Sequence, residues 1–387
     1  MKKISKLMFA VAATVLAGGL ASCGEQPDTP QNTTKVAMIT DYGDITDESF
    51  NQAAYEGCKE YCDANKVEFK YFKPADNSDA LRIESTEKAI DEGYNVIVMP
   101  GYAFAPTIDK VAEKYADVKF IALDVAKGDL LGAHYGADYN YDPEDSKWAG
   151  YKLPSNVYCA VYQEELCGYM AGYAAVKEGY TNLAFLGGMS VPAVVRYGYG
   201  FVQGCDAAAE GKAISIKYAY GNQFFGDADI KARTDTWYKN DKVQVVFACG
   251  GGIYTSACES AQEANGKVIG VDVDQSFIIN KKYGAGMCVT SAMKGLSVTV
   301  KNKLTDVITN NKWTSTIETL GLVSGTNPAE NYVQLPMDTW SMKNYTVEDY
   351  KALVKKMYDG SIKVSNNTNK EPTVAATTSV DYQGNIK

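Results

Sequence analysis

From Lys35 onward, short β-rich apolar runs alternate with stretches of helical periodicity, and that alternation limits the fold more tightly than any other feature of the chain. KVAMIT, VEFKYF, NVIVMP and KFIALD form a first series, with helices expected near residues 47–63, 79–92 and 106–116. The order restarts with NVYCAVY and continues through NLAFLGG, ISIKYAY, VQVVFA and KVIGVD, with helices expected near 163–178, 192–210, 228–239 and 254–265. Continuous apolar strands separated by helices need cover on both faces, which is the arrangement of a parallel sheet. Two series of about 120 residues each predict two α/β lobes. Beyond them GMCVTSAM, TIETLGLV and NYVQLPM read as strands, with a helix near 294–310. A last helix at VEDYKALVKKMYDG is followed by a short strand at IKVS, and the Thr-, Asn- and Ser-rich residues 366–387 read as a polar tail.

The segment before Lys35 has a different character. Lys2, Lys3 and Lys6 precede the apolar run LMFAVAATVLAGGLA, which ends at Ser22-Cys23-Gly24. A basic start, a short apolar stretch and small residues at a cleavage point predict a signal peptide over residues 1–22. Leu20-Ala21-Ser22-Cys23 resembles the lipobox of bacterial lipoproteins, so Cys23 is the expected lipidation site and residues 23–34 the expected tether. Without residues 1–22, which hold three lysines and no acids, the net charge falls from −9 to −12. An acidic, exported chain lacking a basic patch is a poor partner for nucleic acid. Eight further cysteines are scattered from Cys58 to Cys288, and they fit either pairing or burial as small apolar groups. His134 is the only histidine, which leaves a Ser-His-Asp triad little to work with and argues against structural zinc.

In open α/β sheets, ligands sit beyond the carboxyl ends of the strands. Those ends read Asp41, Pro100-Gly101, Asp124, Gly187-Gly188, Gly250-Gly251-Gly252 and Asp272. The first opens the loop TDYGDITDESFN, where a phosphate-binding loop would place glycines. Asp44 and Asp47 read as helix caps, whereas Asp41 and Asp272 lie too close to their strands for that role. Ionised carboxylates only accept hydrogen bonds, so they suit the paired hydroxyls of a sugar and repel phosphate. The loop GGGIYTSA matches neither a P-loop nor a dinucleotide fingerprint; it allows close backbone approach or serves as a tight turn. Phe50 lies where an aromatic could stack on a flat ring, and Lys294 is either a ligand donor or an exposed lysine opening a helix. An EF-hand spacing is missing, so no metal and no cofactor are expected.

VAMITDYGDITDESFNQAAYEG, FIALD, NLAFLGGMSVPAVVRYGYGFVQG, VVFACGGG, KVIGVDVDQ and VTSAMKGLSV occur in that order between Val36 and Val364. Together they resemble the basic membrane lipoprotein family, the PnrA-like purine nucleoside receptors, which are substrate-binding proteins of ABC importers. The resemblance implies a type I periplasmic-binding-protein fold, two lobes joined by three crossing segments, with a ligand cleft between them. It implies a first lobe over 35–155 with returning segments near 290–315 and 335–365, and a second over 156–285 with a segment near 316–334. A non-enzymatic monomer is implied, taking a purine nucleoside and passing it to a membrane permease. Carried over, Asp41 would meet the base and Phe50 would stack on it, with Asp124 at the matching first-lobe strand end. Asp272 would hold ribose hydroxyls, Gly250 would offer backbone, and Lys294 would complete the polar set. The second stacking aromatic falls on Phe225, with Phe224 and Tyr220 as rivals. Asp44 directly after Gly43 departs from the commoner D-x-G-G-x-x-D form. Two other readings stay open: a metal-dependent nucleoside hydrolase-like enzyme, and the same fold binding a sugar or other small solute.

Overall fold

The computed structural model describes residues 34–386 apart from Tyr42. The expected signal peptide, the lipidation site at Cys23 and nearly all of the tether lie outside the described residues. The first lobe begins β1 (Lys35–Ile39), α1 (Phe50–Asn65), β2 (Glu68–Phe72), α2 (Asp79–Asp91) and β3 (Val96–Pro100). It continues α3 (Ala105–Val111), β4 (Lys119–Leu123), α4 (Lys127–Tyr135) and β5 (Val157–Tyr162). The second lobe follows as α5 (Glu164–Glu178), β6 (Asn182–Gly187), α6 (Pro192–Ala208), β7 (Ile214–Tyr220) and α7 (Ala228–Lys239). Then come β8 (Val245–Cys249), α8 (Tyr254–Ala264), β9 (Lys267–Asp272), α9 (Ser276–Tyr283) and β10 (Cys288–Lys294). The chain closes with α10 (Leu296–Leu304), β11 (Thr316–Leu320), β12 (Val333–Gln334), α11 (Val347–Tyr358) and β13 (Thr378–Asn385).

Two sheets result, in the order β11-β5-β4-β3-β1-β2 and β12-β10-β9-β8-β6-β7-β13. Neighbours are parallel except β12, which runs antiparallel to β10. The central strands β3 (VIVMP) and β8 (VVFAC) are buried along their whole length, as helices on both faces require. The edge strand β2 instead alternates and places Glu68 and Lys70 outward, which discourages further pairing. In each sheet the order in which strands are added reverses once, between β1 and β3 and between β6 and β8. Those switch points are where a doubly wound sheet opens a crevice.

Several expectations are corrected. NVYCAVY does not begin the second lobe; as β5 it pairs with β4 and completes the first sheet. β11, expected in the second lobe, pairs with β5 through the register Thr316↔Tyr158 to Leu320↔Tyr162. Residues 335–365 do not return to the first lobe, since α11 packs on α5 and the Tyr350 hydroxyl accepts from the Leu335 amide at 2.8 Å. The returning segment 296–304 does belong to the first lobe, where α10 packs on α1. IKVS forms no strand. The supposed polar tail does, as β13 lies parallel to β7 with Tyr382 packed on Tyr218 at 5.0 Å between centroids. Its alternation is short and masked by polar residues, so periodicity alone did not expose it. Helices α4 and α9 were also not anticipated, being short and weakly amphipathic.

The lobes are joined at three places: Gln163, Gly295 and the stretch 321–332. These crossings bond to one another. The Gln163 amide donates to the Leu320 carbonyl (2.9 Å), the Gly295 amide to Tyr332 (2.7 Å) and the Tyr332 amide to Gly321 (3.0 Å).

Candidate functional site

A cavity of about 380 Å³ opens between the lobes at the carboxyl ends of both sheets. That size falls within the usual range for small-molecule sites. All seven ligand residues expected from sequence line it: Asp41, Phe50, Asp124, Phe225, Gly250, Asp272 and Lys294.

Asp41 lies two residues beyond the end of β1 and is buried; its Oδ1 accepts from the Gly43 amide at 2.8 Å. Asp44 and Asp47 serve the loop itself. Asp44 accepts from the amide and hydroxyl of Thr46 and pairs with Lys73 at 2.8 Å, holding its carboxyl down at about 2. Asp47 receives the amides of Ser49, Asn51 and Gln52, supplying the start of α1 with the cap that Ser49 does not. Phe50 follows as the first residue of that helix, with its ring on the cavity wall.

Asp124, just after β4, and Asp272, the last residue of β9, have positive φ of 58° and 65°, a conformation that Asp tolerates better than most residues and that turns the chain sharply at the strand end. Between them stands Lys294. The sequence left it as a possible helix lysine, but it is the buried last residue of β10. Its Nζ lies 2.6 Å from Asp124 Oδ2, 3.4 Å from Glu164 Oε1 and 3.8 Å from Asp272 Oδ1. It also sits 5.0 Å from the centroid of the Phe50 ring, within cation–π range. Burial disfavours the ammonium, yet Asp124, Glu164 and Asp272 outweigh it and hold Lys294 protonated above the usual lysine range. Burial lifts Asp124 to about 6 against the pull of Lys294, and raises Asp272 against the pull of Lys294 and Ser49. Asp124 Oδ1 is buried without a protein partner.

The two lobes meet through this cluster. Lys294 bonds Asp124 across the cleft, Ser49 Oγ donates to Asp272 Oδ2 at 2.6 Å, and Gln275 Nε2 donates to the Glu48 carbonyl at 2.9 Å. The structure is therefore a closed one, with the lobes latched together across the cavity.

Of the three aromatics weighed after β7, Tyr220 is held by the Tyr218 hydroxyl at 2.9 Å and lies away from the cavity wall. Phe224 and Phe225 both line it. The Phe224 ring rests where Gly188 and Gly250 have no side chains: a Cβ on either would lie 2.3 Å or 2.8 Å from its Cδ1. Phe225 is 58% exposed, an unusual state for a Phe at a cavity.

Two charged residues escaped the sequence reading. Glu164, fully buried in the first turn of α5, bridges Lys294 and Arg196, whose Nε lies 2.6 Å from Glu164 Oε2. Glu164 looked like an ordinary first-turn acid, and Arg196 was a lone cation within VPAVVRYGYGF, a signal that could have been followed. All eight remaining cysteines are buried and unpaired, so they act as small apolar groups. Among the described residues, no group of three or more His, Cys, Asp or Glu is arranged to hold a metal ion.

The model of the family described as ABC transporter substrate-binding protein PnrA-like matches residues 34–368. An uncharacterized lipoprotein of Pyrococcus furiosus is 23% identical, covering 94% of this chain and 88% of its own length. The ABC transporter nucleoside-binding protein BmpA of Lactococcus lactis is 25% identical over 77% of this chain and 84% of its own. Among solved structures, an ABC transporter solute-binding protein of Aeropyrum pernix superposes with a TM-score of 0.63 at 18% identity, covering 87% of this chain and 88% of that one. A periplasmic solute-binding protein of Actinobacillus succinogenes with bound D-allose reaches 0.57 at 16% identity, over 82% and 99%. These structural likenesses carry the fold, two parallel-sheet lobes around a cleft, and the family model spans nearly all of the described chain. The protein belongs to the PnrA-like family of ABC transporter substrate-binding proteins.

Proposed function

We propose that the chain is the lipid-anchored receptor of an ABC importer, binding a purine nucleoside between its lobes and presenting it to a membrane permease. The observation that carries this reading is the cavity itself. Acceptor-only carboxylates of Asp41, Asp124 and Asp272 converge from both lobes on a space walled by Phe50 and Phe225. Carboxylates suit donor hydroxyls and base N–H groups, aromatic faces suit a planar base, and the surplus of negative charge disfavours phosphate. Asp41 faces the base, Phe50 and Phe225 stack on it, Asp272 and Lys294 hold the ribose, and Asp124 and the Gly250 backbone complete the contacts. The printed name of the Lactococcus lactis relative supports the nucleoside, and the lipoprotein relatives support an anchor at Cys23. Closure around the ligand is the signal read by the permease, through differential affinity for the closed form.

Asp44 and Asp47 are spent on the loop and on the start of α1, so the acidic loop that suggests a metal-dependent hydrolase uses these two carboxylates for its own folding. Thermal melting of the purified protein with nucleosides, pentoses, hexoses and nucleotides tests the proposal. Nucleosides alone should raise the midpoint, and at a hundred times Kd the gain is about 2.7 kcal/mol. A shift with a pentose or hexose and none with any nucleoside would replace the nucleoside by a sugar. Asp272→Asn, which keeps shape and tolerates the positive φ, should bind inosine at least tenfold more weakly while the midpoint without ligand stays close to that of the parent.

A further inference from the structure

Arg196 lies in α6 and lines the cavity with its side chain 15% exposed. Its Nε donates to Glu164 Oε2, and that is its one hydrogen bond among the described residues. The two terminal nitrogens make no hydrogen bond among the described residues and are not among the sealed, partnerless buried atoms, and Arg196 is one of the residues that line the cavity. A counter-ion serving only Glu164 would turn its fork on the carboxylate and make two parallel bonds. Here the contact is single, Glu164 already has Lys294 at 3.4 Å, and the donor-rich end of the fork is left over.

The surroundings fix what those donors can meet. Glu164, Asp124 and Glu165 all act on Arg196 electrostatically, and Arg196 in turn acts on Asp129. Carboxylates thus outnumber cations around the fork, which disfavours a further anion. Its neighbours Glu164 and Asp124 both contact Lys294, the residue that the nucleoside reading sets on the ribose. We propose that Arg196 is a specificity residue that donates hydrogen bonds to uncharged oxygens on the sugar half of the ligand, a role resting on the nucleoside reading above.

The test is calorimetric titration of inosine, its 2′-, 3′- and 5′-deoxy analogues and inosine 5′-monophosphate into the full-length protein and into Arg196→Lys. Lysine keeps a positive charge beside Glu164 and loses the fork. The expected result is a tenfold or greater loss for inosine in the variant. At least one deoxy analogue that binds weakly to the parent should lose nothing further in Arg196→Lys. Unchanged inosine affinity overturns the proposal, as does an equal loss for every analogue, which marks a structural role. Tighter binding of the monophosphate than of inosine overturns the claim of an uncharged acceptor. If Arg196→Lys does not fold, Glu164→Gln with Arg196→Met removes both charges together and should show the same pattern. A parent protein that binds no nucleoside at all signals failure of the nucleoside reading, and the parent titration shows this separately from the variant.

Discussion

Gly101 has no side chain because Asp41 occupies the space: a Cβ there would stand 2.9 Å from Asp41 Oδ2, and its φ is +123°. Gly101→Ala is expected to cost about 1–3 kcal/mol through backbone strain. It should also weaken nucleoside binding by pushing on the carboxylate. Denaturant unfolding and ligand titration read the two effects, and unchanged affinity would show that Asp41 does not depend on this contact. The neighbouring Gly101 was visible in the sequence as a strand end, like Asp41, Asp124 and Asp272, because a parallel sheet directs its carboxyl ends toward one crevice. Lys294 was legible as a position but not as an environment. What makes it a buried hub is above all two carboxylates, Glu164 and Asp124, which lie 130 and 170 residues away in the chain order, and only folding brings Asp124 to 2.6 Å from it. Asn51 and the two phenylalanines after β7 show the same limit. Their identities are in the sequence, while which of them is capped, packed or bare depends on neighbours that no spacing encodes.

Helices α5 and α6 cross with their backbones in contact. Gly168 and Gly172 on one face Gly200 and Gly204 on the other, and an added Cβ at these positions would lie 2.0 to 2.3 Å from a carbonyl oxygen of the opposite helix. Small residues four apart permit this close approach, and the approach sets Glu164 of α5 against Arg196 of α6. Gly200→Ala would place its Cβ 2.1 Å from the Glu165 carbonyl oxygen, so the helices must separate. The expected cost is about 1–3 kcal/mol from overpacking, together with weaker ligand binding as the Glu164–Arg196 pair is disturbed. Chemical denaturation and calorimetry check both, and Ala tolerated at no cost would mean that the helices are not in backbone contact. The glycine spacing GYMAG and GFVQG stands openly in the sequence. Its meaning does not, because the same spacing fits two helices that never meet. β13 marks the opposite case. Polar residues hid a strand that lies beyond the 34–368 span of the family match, yet its end reaches the cavity wall's support: the Ile386 amide donates to the Tyr220 carbonyl at 2.8 Å, just before the loop that carries Phe224 and Phe225.

Across the whole molecule, closure gathers acids that water would otherwise serve. Burial raises Asp47, Asp124 and Asp129 from 3.8 to about 6, and Glu165 from 4.5 to about 7. Each of these carboxyls binds its proton more tightly in the folded chain than in the unfolded one. Between about pH 4.5 and 7 the native state therefore holds more protons, and stability falls as pH rises through that window. Exposed carboxyls held down by lysines, such as Asp44 at about 2, act in the other direction only below about pH 4. The melting midpoint without ligand should accordingly be higher at about pH 5.5 than at about pH 7.5, the reverse of ordinary acid weakening. Each kcal/mol of difference corresponds to about 1–2 °C in a chain of this length. Asp129→Asn keeps an acceptor for the Ala126 amide, now 2.8 Å from Asp129 Oδ2, and removes one of the titrating groups. Its midpoint should therefore vary less with pH than that of the parent. Scanning calorimetry across this range decides the matter: a midpoint that is level or falls on acidification would mean that these acids are not held away from water.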